Sequence, residues 1–248
     1  MTPTRPKYET LLFSLTFFLA LFMRFFQLGA LPLGDNEAEW ALQALGVAQG
    51  MRPLLGTQSA YVSLTAVLFF LFEPTNLLAR LLPALTGSLL VLVVYLARER
   101  LQPLPGLLLA FFLALDPGLV ALSRQAGSLM PALAFSMLAW ALFSNQRPRL
   151  AGVLVGLALL SGPGLWAGVL GLLLAWMVYC VMESGLAQRA QIIKNTGVLR
   201  NLVSIRFEDI QPSLIYAGAT ILLVGSSLFL SPAGLSAWVS SLPIYLSG

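Results

Sequence analysis

The stretch from Leu31 to Pro53, reading PLGDNEAEWALQALGVAQGMRP from Pro32 on, gathers the acids best suited to chemistry: Asp35, Glu37 and Glu39, with Arg52 close behind. A carboxylate at the edge of an apolar medium is partly desolvated. Its pKa then rises, which suits a general base that deprotonates an acceptor hydroxyl. The same residues also suit the start of a helix. Pro32 and Gly34 break what precedes, Asp35 stands where an N-cap would, and Glu37 and Glu39 fall in the first turn, where the helix dipole favours acids. Residue type alone leaves both readings open. Arg24 lies within an apolar stretch, where a charge marks a functional site or snorkels to the headgroups. Asp116 is similarly deep, just before Pro117-Gly118. It either pairs with Arg124 or caps a break at Pro117. Arg52, Arg80 and Arg124 are cations of the kind that hold a phosphate, and equally of the kind that bind ordinary lipid headgroups.

Other chemistries are excluded. The chain has no histidine and one cysteine, Cys180. There is thus no histidine general base, no Ser-His or Cys-His nucleophile, no internal disulfide and no residue set for a usual zinc site.

The elements that must position these groups are apolar helices. Of 248 residues, 58% are hydrophobic and 10% charged, and mean hydropathy is +0.86. A soluble domain of this length needs far more surface charge. We therefore expect an all-α polytopic membrane protein forming a single transmembrane domain over 1–248. About seven stretches approach the roughly 20 apolar residues that a span requires: 11–29, 76–97, 104–122, 129–145, 150–163, 164–182 and 213–230. Ser161-Gly162-Pro163-Gly164 makes a tight hairpin of the fifth and sixth. An eighth stretch, Thr57 to Phe72, either spans or lies in the interface, and charge decides between these. If it does not span, Arg5, Lys7, Arg98, Arg100, Arg147, Arg149, Arg189, Lys194, Arg200 and Arg206 share one side, and only Arg52, Arg80 and Arg124 take the other. If it spans, the bias reverses. The positive-inside rule favours the first arrangement. The N-terminus is then cytoplasmic, in a multi-pass plasma-membrane protein. The first outer loop, 30–75, carries amphipathic interfacial helices, and the basic cytoplasmic loop 183–212 lies on the inner membrane surface. With charge explained by topology, the net +4 gives no reason to expect nucleic acid.

The order of these features resembles the N-terminal half of the GT-C glycosyltransferases, more narrowly the protein O-mannosyltransferase, aminoarabinose transferase and RgtA/B/C/D-like group. The matching text is Arg24 in the first helix, Pro32, then Asp35-Asn36-Glu37-Ala38 opening a surface helix. Gly50 to Pro53 and an interfacial helix over Tyr61 to Phe72 come next. Ala79 to Gly87 comes after them as Ala-Arg-Leu-Leu-x-Ala-Leu-x-Gly, then Pro117, Gly118, Ser123 and Arg124. The resemblance implies transfer of a sugar from a polyprenyl-phosphate carrier to an acceptor at the outer membrane face. Asp35 and Glu37 would be the catalytic or acceptor-orienting acids. Arg24, Arg52 and Arg124 would serve the donor phosphate, with Asp116 and Glu39 in support. No metal-ligating set is identified, and dependence on a divalent metal is left open.

Two departures stand beside it. Aligned on Glu-Ala, the family aspartate falls on Asn36, and a one-residue shift turns a helical side chain by about 100°. Gly127 to Pro131 lacks an acid that many members carry near the start of the fourth helix. Members also continue further, so a truncated, split or degenerate member is expected. Its partners would be membrane lipid, a lipid-linked sugar, and a protein supplying a C-terminal half or a larger complex. The rival from another class is a non-catalytic GT-C-like membrane subunit. A transporter is disfavoured, because the apolar stretches hold few polar residues.

Overall fold

The structure is a computed structural model that describes residues 7–51, 58–98, 101–162 and 207–226, with further positions between 165 and 178 and Val239. Every regular element among the described residues is helical. In chain order they are α1 (Lys7–Phe25), α2 (Asp35–Ala48), α3 (Ser59–Leu71), α4 (Asn76–Ser88), α5 (Leu90–Leu96), α6 (Pro103–Leu115), α7 (Pro117–Ser123), α8 (Leu129–Ser144), α9 (Pro148–Leu160) and α10 (Phe207–Gly225).

Helix α1 shows how the sequence sets the surface. Phe13, Thr16, Ala20 and Arg24 recur at three- or four-residue spacing and are buried. Tyr8, Leu11, Leu15, Phe18 and Phe22 repeat at the same interval and are exposed. An apolar face left outward on a helix of this length requires lipid as its solvent. Exposed Leu104, Leu108 and Phe112 on α6, and Leu129, Leu133, Met137 and Trp140 on α8, extend the belt.

Two helical stretches, Tyr8–Phe25 and Asn76–Leu96 (α4 continued by α5 past Leu89), are long and apolar enough to cross a membrane. A third crossing is reached if α6 and α7, bent by 52° at their junction, count as one. The bend has a covalent cause: Pro117 lacks the N–H that would continue α6, and Asp116 caps the new helix by accepting the Leu119 N–H at 2.7 Å. The 104–122 stretch is therefore two helices. Ser59–Leu71, Leu129–Ser144, Pro148–Leu160 and Ile210–Gly225 are shorter apolar helices. The stretch expected at 213–230 begins earlier, at Phe207, with Pro212 inside the helix. The stretch at 164–182 is described only at scattered helical positions between 165 and 178, and most of the loop at 183–212 lies outside the described residues.

Contacts sort the helix ends into two sets. At the lower end, Phe13 of α1 meets Tyr95 of α5 edge to face at 5.5 Å, and Asn145 after α8 donates to the Leu96 carbonyl at 3.0 Å. At the upper end, Arg80 of α4 donates to the carbonyls of Leu28, Leu31 and Pro32 just after α1. The chain thus leaves α1 and enters α4 at the same end. One crossing by α3 is incompatible with that, and its 13 residues cover only about 20 Å of a hydrocarbon core about 30 Å thick. Instead α3 lies across the upper end. Ser59 Oγ donates to the Leu160 carbonyl at the end of α9 (3.3 Å), and Ser63 Oγ to the Val224 carbonyl near the end of α10 (2.9 Å).

Helices α9 and α10 pack most closely. A Cβ on Gly152 would collide with the Ser213 carbonyl, and one on Gly156 would lie 2.8 Å from both the Ala217 carbonyl and Thr220 Cβ. This small-residue seam lets the backbones approach without polar side chains.

This arrangement makes two outcomes measurable. In a variant lacking Cys180, a cysteine introduced at Asn36 and one at Gln102 should react with an impermeant maleimide from opposite membrane faces; labelling from one face would require α3 to cross. Gly156→Leu should lower stability by about 1–3 kcal/mol through overpacking, read as a loss of thermal midpoint in detergent, whereas Gly168→Leu, where an added Cβ meets nothing within 4 Å, should change it little.

Candidate functional site

At the upper end the segment between α1 and α4 is fastened by the Glu37–Arg80 ion pair. Gly34, extended at φ −70° and ψ 166°, is the N-cap of α2. Asp35 is therefore the first helical residue and not the cap, because a residue with helical dihedrals cannot occupy the cap position. Glu37 falls at the third helical position and reaches back, its Oε2 accepting the Gly34 N–H at 2.9 Å. Arg80 arrives from the first turns of α4. Its Nε donates to Glu37 Oε1 at 3.0 Å and its Nη2 to Oε2 at 2.6 Å, the fork geometry that guanidinium and carboxylate share. Glu37 Oε1 also accepts the Ala126 N–H at 2.6 Å, from the loop between α7 and α8. The remaining Arg80 donors go to the Leu28 (3.3 Å), Leu31 (2.9 Å) and Pro32 (2.9 Å) carbonyls. A guanidinium has five N–H groups and a carboxylate about four acceptor sites. Both sets are full.

Saturation changes what Glu37 can do. Burial pushes its carboxyl up, but the Arg80 hydrogen bond, the Gly34 and Ala126 N–H groups and the Arg80 charge together pull it below its ordinary value. A desolvated, raised carboxyl was expected here; the pairing reverses the sign. Glu37 therefore has no free lone pair and a depressed pKa in this geometry. Sequence reasoning placed Arg80 at the outer surface without pairing it. The signal was the turn after α1, whose carbonyls have no helical partners and require a nearby donor.

Arg24 does not join this cluster. It is fully buried, and its Nη1 and Nη2 donate to the carbonyls of Ala20 (3.3 Å), Ala114 (3.0 Å) and Leu113 (2.9 Å). The last two end α6, and Leu113 stands four residues before Pro117, whose missing N–H orphans its carbonyl. Arg24 supplies that hydrogen and sits at the negative end of the α6 dipole. Its Nε has no acceptor among the described residues and lies against Gly87, where a Cβ would be 3.0 Å away. Arg24 thus contacts a broken helix and neither Asp35 nor Glu37.

Arg124 plays the matching part at the end of α1. Its Nη1 donates to the carbonyls of Met23 (3.1 Å) and Phe26 (2.7 Å), and its Nη2 to Gln27 (3.5 Å). Gln27 is left-handed at φ 52°, as at a helix C-terminus. Asp116 caps α7 and forms no ion pair with Arg124 among the described residues. Arg52 lies outside the described residues. Glu39 is exposed and accepts from Gln43 at 3.5 Å. Asp35 is exposed too, and no group among the described residues donates to its carboxylate. Among the described site residues, Asp35 and Glu39 keep open acceptor sites at the exposed start of α2, and Asp35 is the one nearer the helix N-terminus. No three or more Asp, Glu or Cys residues among those described group as metal ligands.

No protein-family model, curated protein or solved structure matches this chain.

The ion pair makes a pH-dependent prediction. A depressed folded pKa means stability that is present above the unfolded carboxyl value and lost as pH falls through the folded one. Glu37→Gln should therefore lower stability by about 3 kcal/mol at neutral pH, the cost of leaving Arg80 half-paired in a largely buried site. In acid the difference from the parent should shrink, measured as thermal midpoint against pH. A constant difference across the range would mean that the charge of Glu37 does not matter.

Proposed function

We propose that the chain is a seven-span GT-C-type glycosyltransferase module of the plasma membrane, with a cytoplasmic N-terminus and its working face at the upper end. The orientation is supported by charge. Among the described residues Lys7, Arg98, Arg147 and Arg149 lie at the lower end against Arg80 and Arg124 at the upper one, the bias the positive-inside rule expects of a cytoplasmic lower face. The observation that carries the catalytic reading is the open carboxylate of Asp35, held at a membrane surface by the Glu37–Arg80 clamp beneath it. In the proposed reaction Asp35 takes the proton of an acceptor hydroxyl. The acceptor oxygen bonds to the anomeric carbon, and the bond from that carbon to the carrier phosphate breaks, releasing polyprenyl phosphate. Within this reading Glu37 fixes the frame, and Asp35 acts alone as base.

A second reading, a non-catalytic membrane subunit of a larger complex, is favoured by a different observation. Arg24 and Arg124, the cations expected at the donor phosphate, spend their Nη groups on backbone carbonyls.

Three substitutions separate the two. Because Gly34 is the cap, Asp35→Ala loses only the dipole interaction of an exposed acid, about 0.3–1 kcal/mol. If Asp35 is the base, Asp35→Asn and Asp35→Ala should each reduce sugar transfer from a polyprenyl-phosphate sugar by about 100-fold or more, with the thermal midpoint nearly unchanged. Glu37→Gln should lose transfer and stability together. Transfer that survives Asp35→Asn, or parent membranes that transfer no sugar with a partner chain present, would favour the subunit.

A further inference from the structure

Helix α3 is covered at one end and bare at the other. Ser59 to Ser63 are buried, and Ser59, Tyr61 and Ser63 donate to carbonyls of α9, α4 and α10. At the far end Phe70, Leu71 and Phe72 are 75%, 63% and 60% exposed. Phe70 and Leu71 close the helix, and Phe72 is its extended C-cap. Neighbouring residues on a helix point about 100° apart, so three in a row are bare only where the helix end stands clear of the bundle. No residue from Ser59 to Phe72 is acidic or basic; Glu73 is the first.

The surface beside this tip is the one that lipid already covers. Leu77, five residues past Phe72, packs on Gly29, where an added Cβ would stand 3.0 Å from Leu77 Cβ. The tip therefore lies near the upper end of α1. There Phe26 and Leu31 continue the bare apolar face that Phe18 and Phe22 begin, and the Phe22 and Phe26 rings meet at 5.4 Å. Helix α2 is different: it turns Asp35, Asn36 and Glu39 outward, as a water-facing element does. The backbone limits how deep the tip goes. The last carbonyls of a helix have no partner within it, and hydrocarbon offers them none. The headgroup boundary supplies water to those carbonyls and an apolar medium to the rings, and aromatic side chains collect there.

We infer that the Phe70-Leu71-Phe72 tip is a membrane anchor that dips into the leaflet at the upper end, with its side chains among the first acyl carbons and its backbone at headgroup level. Its partner is bilayer lipid of any headgroup, since the tip carries no charge to select one. The anchor ties the turn between α3 and α4 to the membrane. Arg80 stands one turn into α4, so the same anchor sets the height of the Glu37–Arg80 junction above the lipid. The inference stands whether or not the upper end transfers sugar.

The test is electron paramagnetic resonance of the full chain in phosphatidylcholine vesicles, with Cys180→Ser and one spin-labelled cysteine. Oxygen concentrates in lipid and a nickel chelate in water, so the ratio of their collision rates locates the label. Leu71→Cys should give an oxygen-to-nickel ratio about threefold or more above that of Asn36→Cys on α2, as a depth of about 5–10 Å requires. The ratio should stay below that of Phe18→Cys, in the middle of α1. Phe70→Cys repeats the reading should Leu71→Cys fail to fold. Adding Phe70→Ser and Phe72→Ser should bring the Leu71→Cys ratio down to the Asn36→Cys value, while the Phe18→Cys reading stays fixed. A parent ratio at Leu71→Cys equal to that at Asn36→Cys puts the tip in water and overturns the inference. Slow collision with both reagents puts it under a second copy or another protein and also overturns it. So does a ratio unmoved by the paired substitution, since the rings would then not be what holds the tip in lipid.

Discussion

A backbone carbonyl in an apolar medium needs a hydrogen-bond donor, and where the helix cannot supply one the donor must come from elsewhere in the protein. The molecule meets this constraint again and again with the same means. Pro117 orphans Leu113, and Arg24 answers. Pro83 inside α4 orphans Ala79 four residues earlier, and the Tyr61 hydroxyl of α3 donates to it at 2.8 Å. The end of α1 and the turn after it expose a run of carbonyls, which Arg124 and Arg80 divide between them. Each donor comes from a distant part of the chain. The helix breaks are thus the points at which the helices are tied together, which gives the upper end its fixed arrangement.

The Glu37–Arg80 pair extends this scheme from backbone to charge. An arginine facing carbonyls alone would leave a net charge in a low-dielectric place. Glu37 neutralises it and also collects the Gly34 and Ala126 N–H groups. Four segments meet at two side chains: the turn after α1, the start of α2, α4, and the loop before α8. Asp35 inherits its position from this junction, being two residues from Glu37 on the same rigid helix. Whatever Asp35 does at the surface, its placement is decided by the neighbours of Glu37.

The sequence made much of this visible and hid the rest for physical reasons. The helix over 76–97 was legible from length and hydropathy, and α3 as a surface element from the balance of arginines, because both depend on local composition. The break after α1 was legible in Pro32 and Gly34. Gly34 as cap was not, since Asp35 is the better capping residue by type and only the backbone dihedrals decide between them. The site residues were read as one cluster because three arginines and three acids fall near the same membrane surface. Their sorting into separate contacts depends on which carbonyls the prolines orphan, and proline position is a sequence signal. Leu113 and Ala79 each stand four residues before a proline. Matching those vacancies to Arg24 and Tyr61 requires the packing of α1 on α6 and of α3 on α4, which no local pattern contains.

The separation in sequence between Arg24 and its acceptors bears on biogenesis. Arg24 lies 89 and 90 residues before Leu113 and Ala114, so when α1 leaves the ribosome its acceptors have not been made. An arginine raises the insertion cost of a helix, by about 2.5–3.5 kcal/mol at its centre and by less toward an end, where Arg24 stands. Until α6 and its break emerge, α1 carries that cost uncompensated. Its stable residence in the bilayer therefore begins late, when α6 arrives beside it. Helix α1 thus depends on a segment made later, and truncation before residue 113 should leave it less securely inserted.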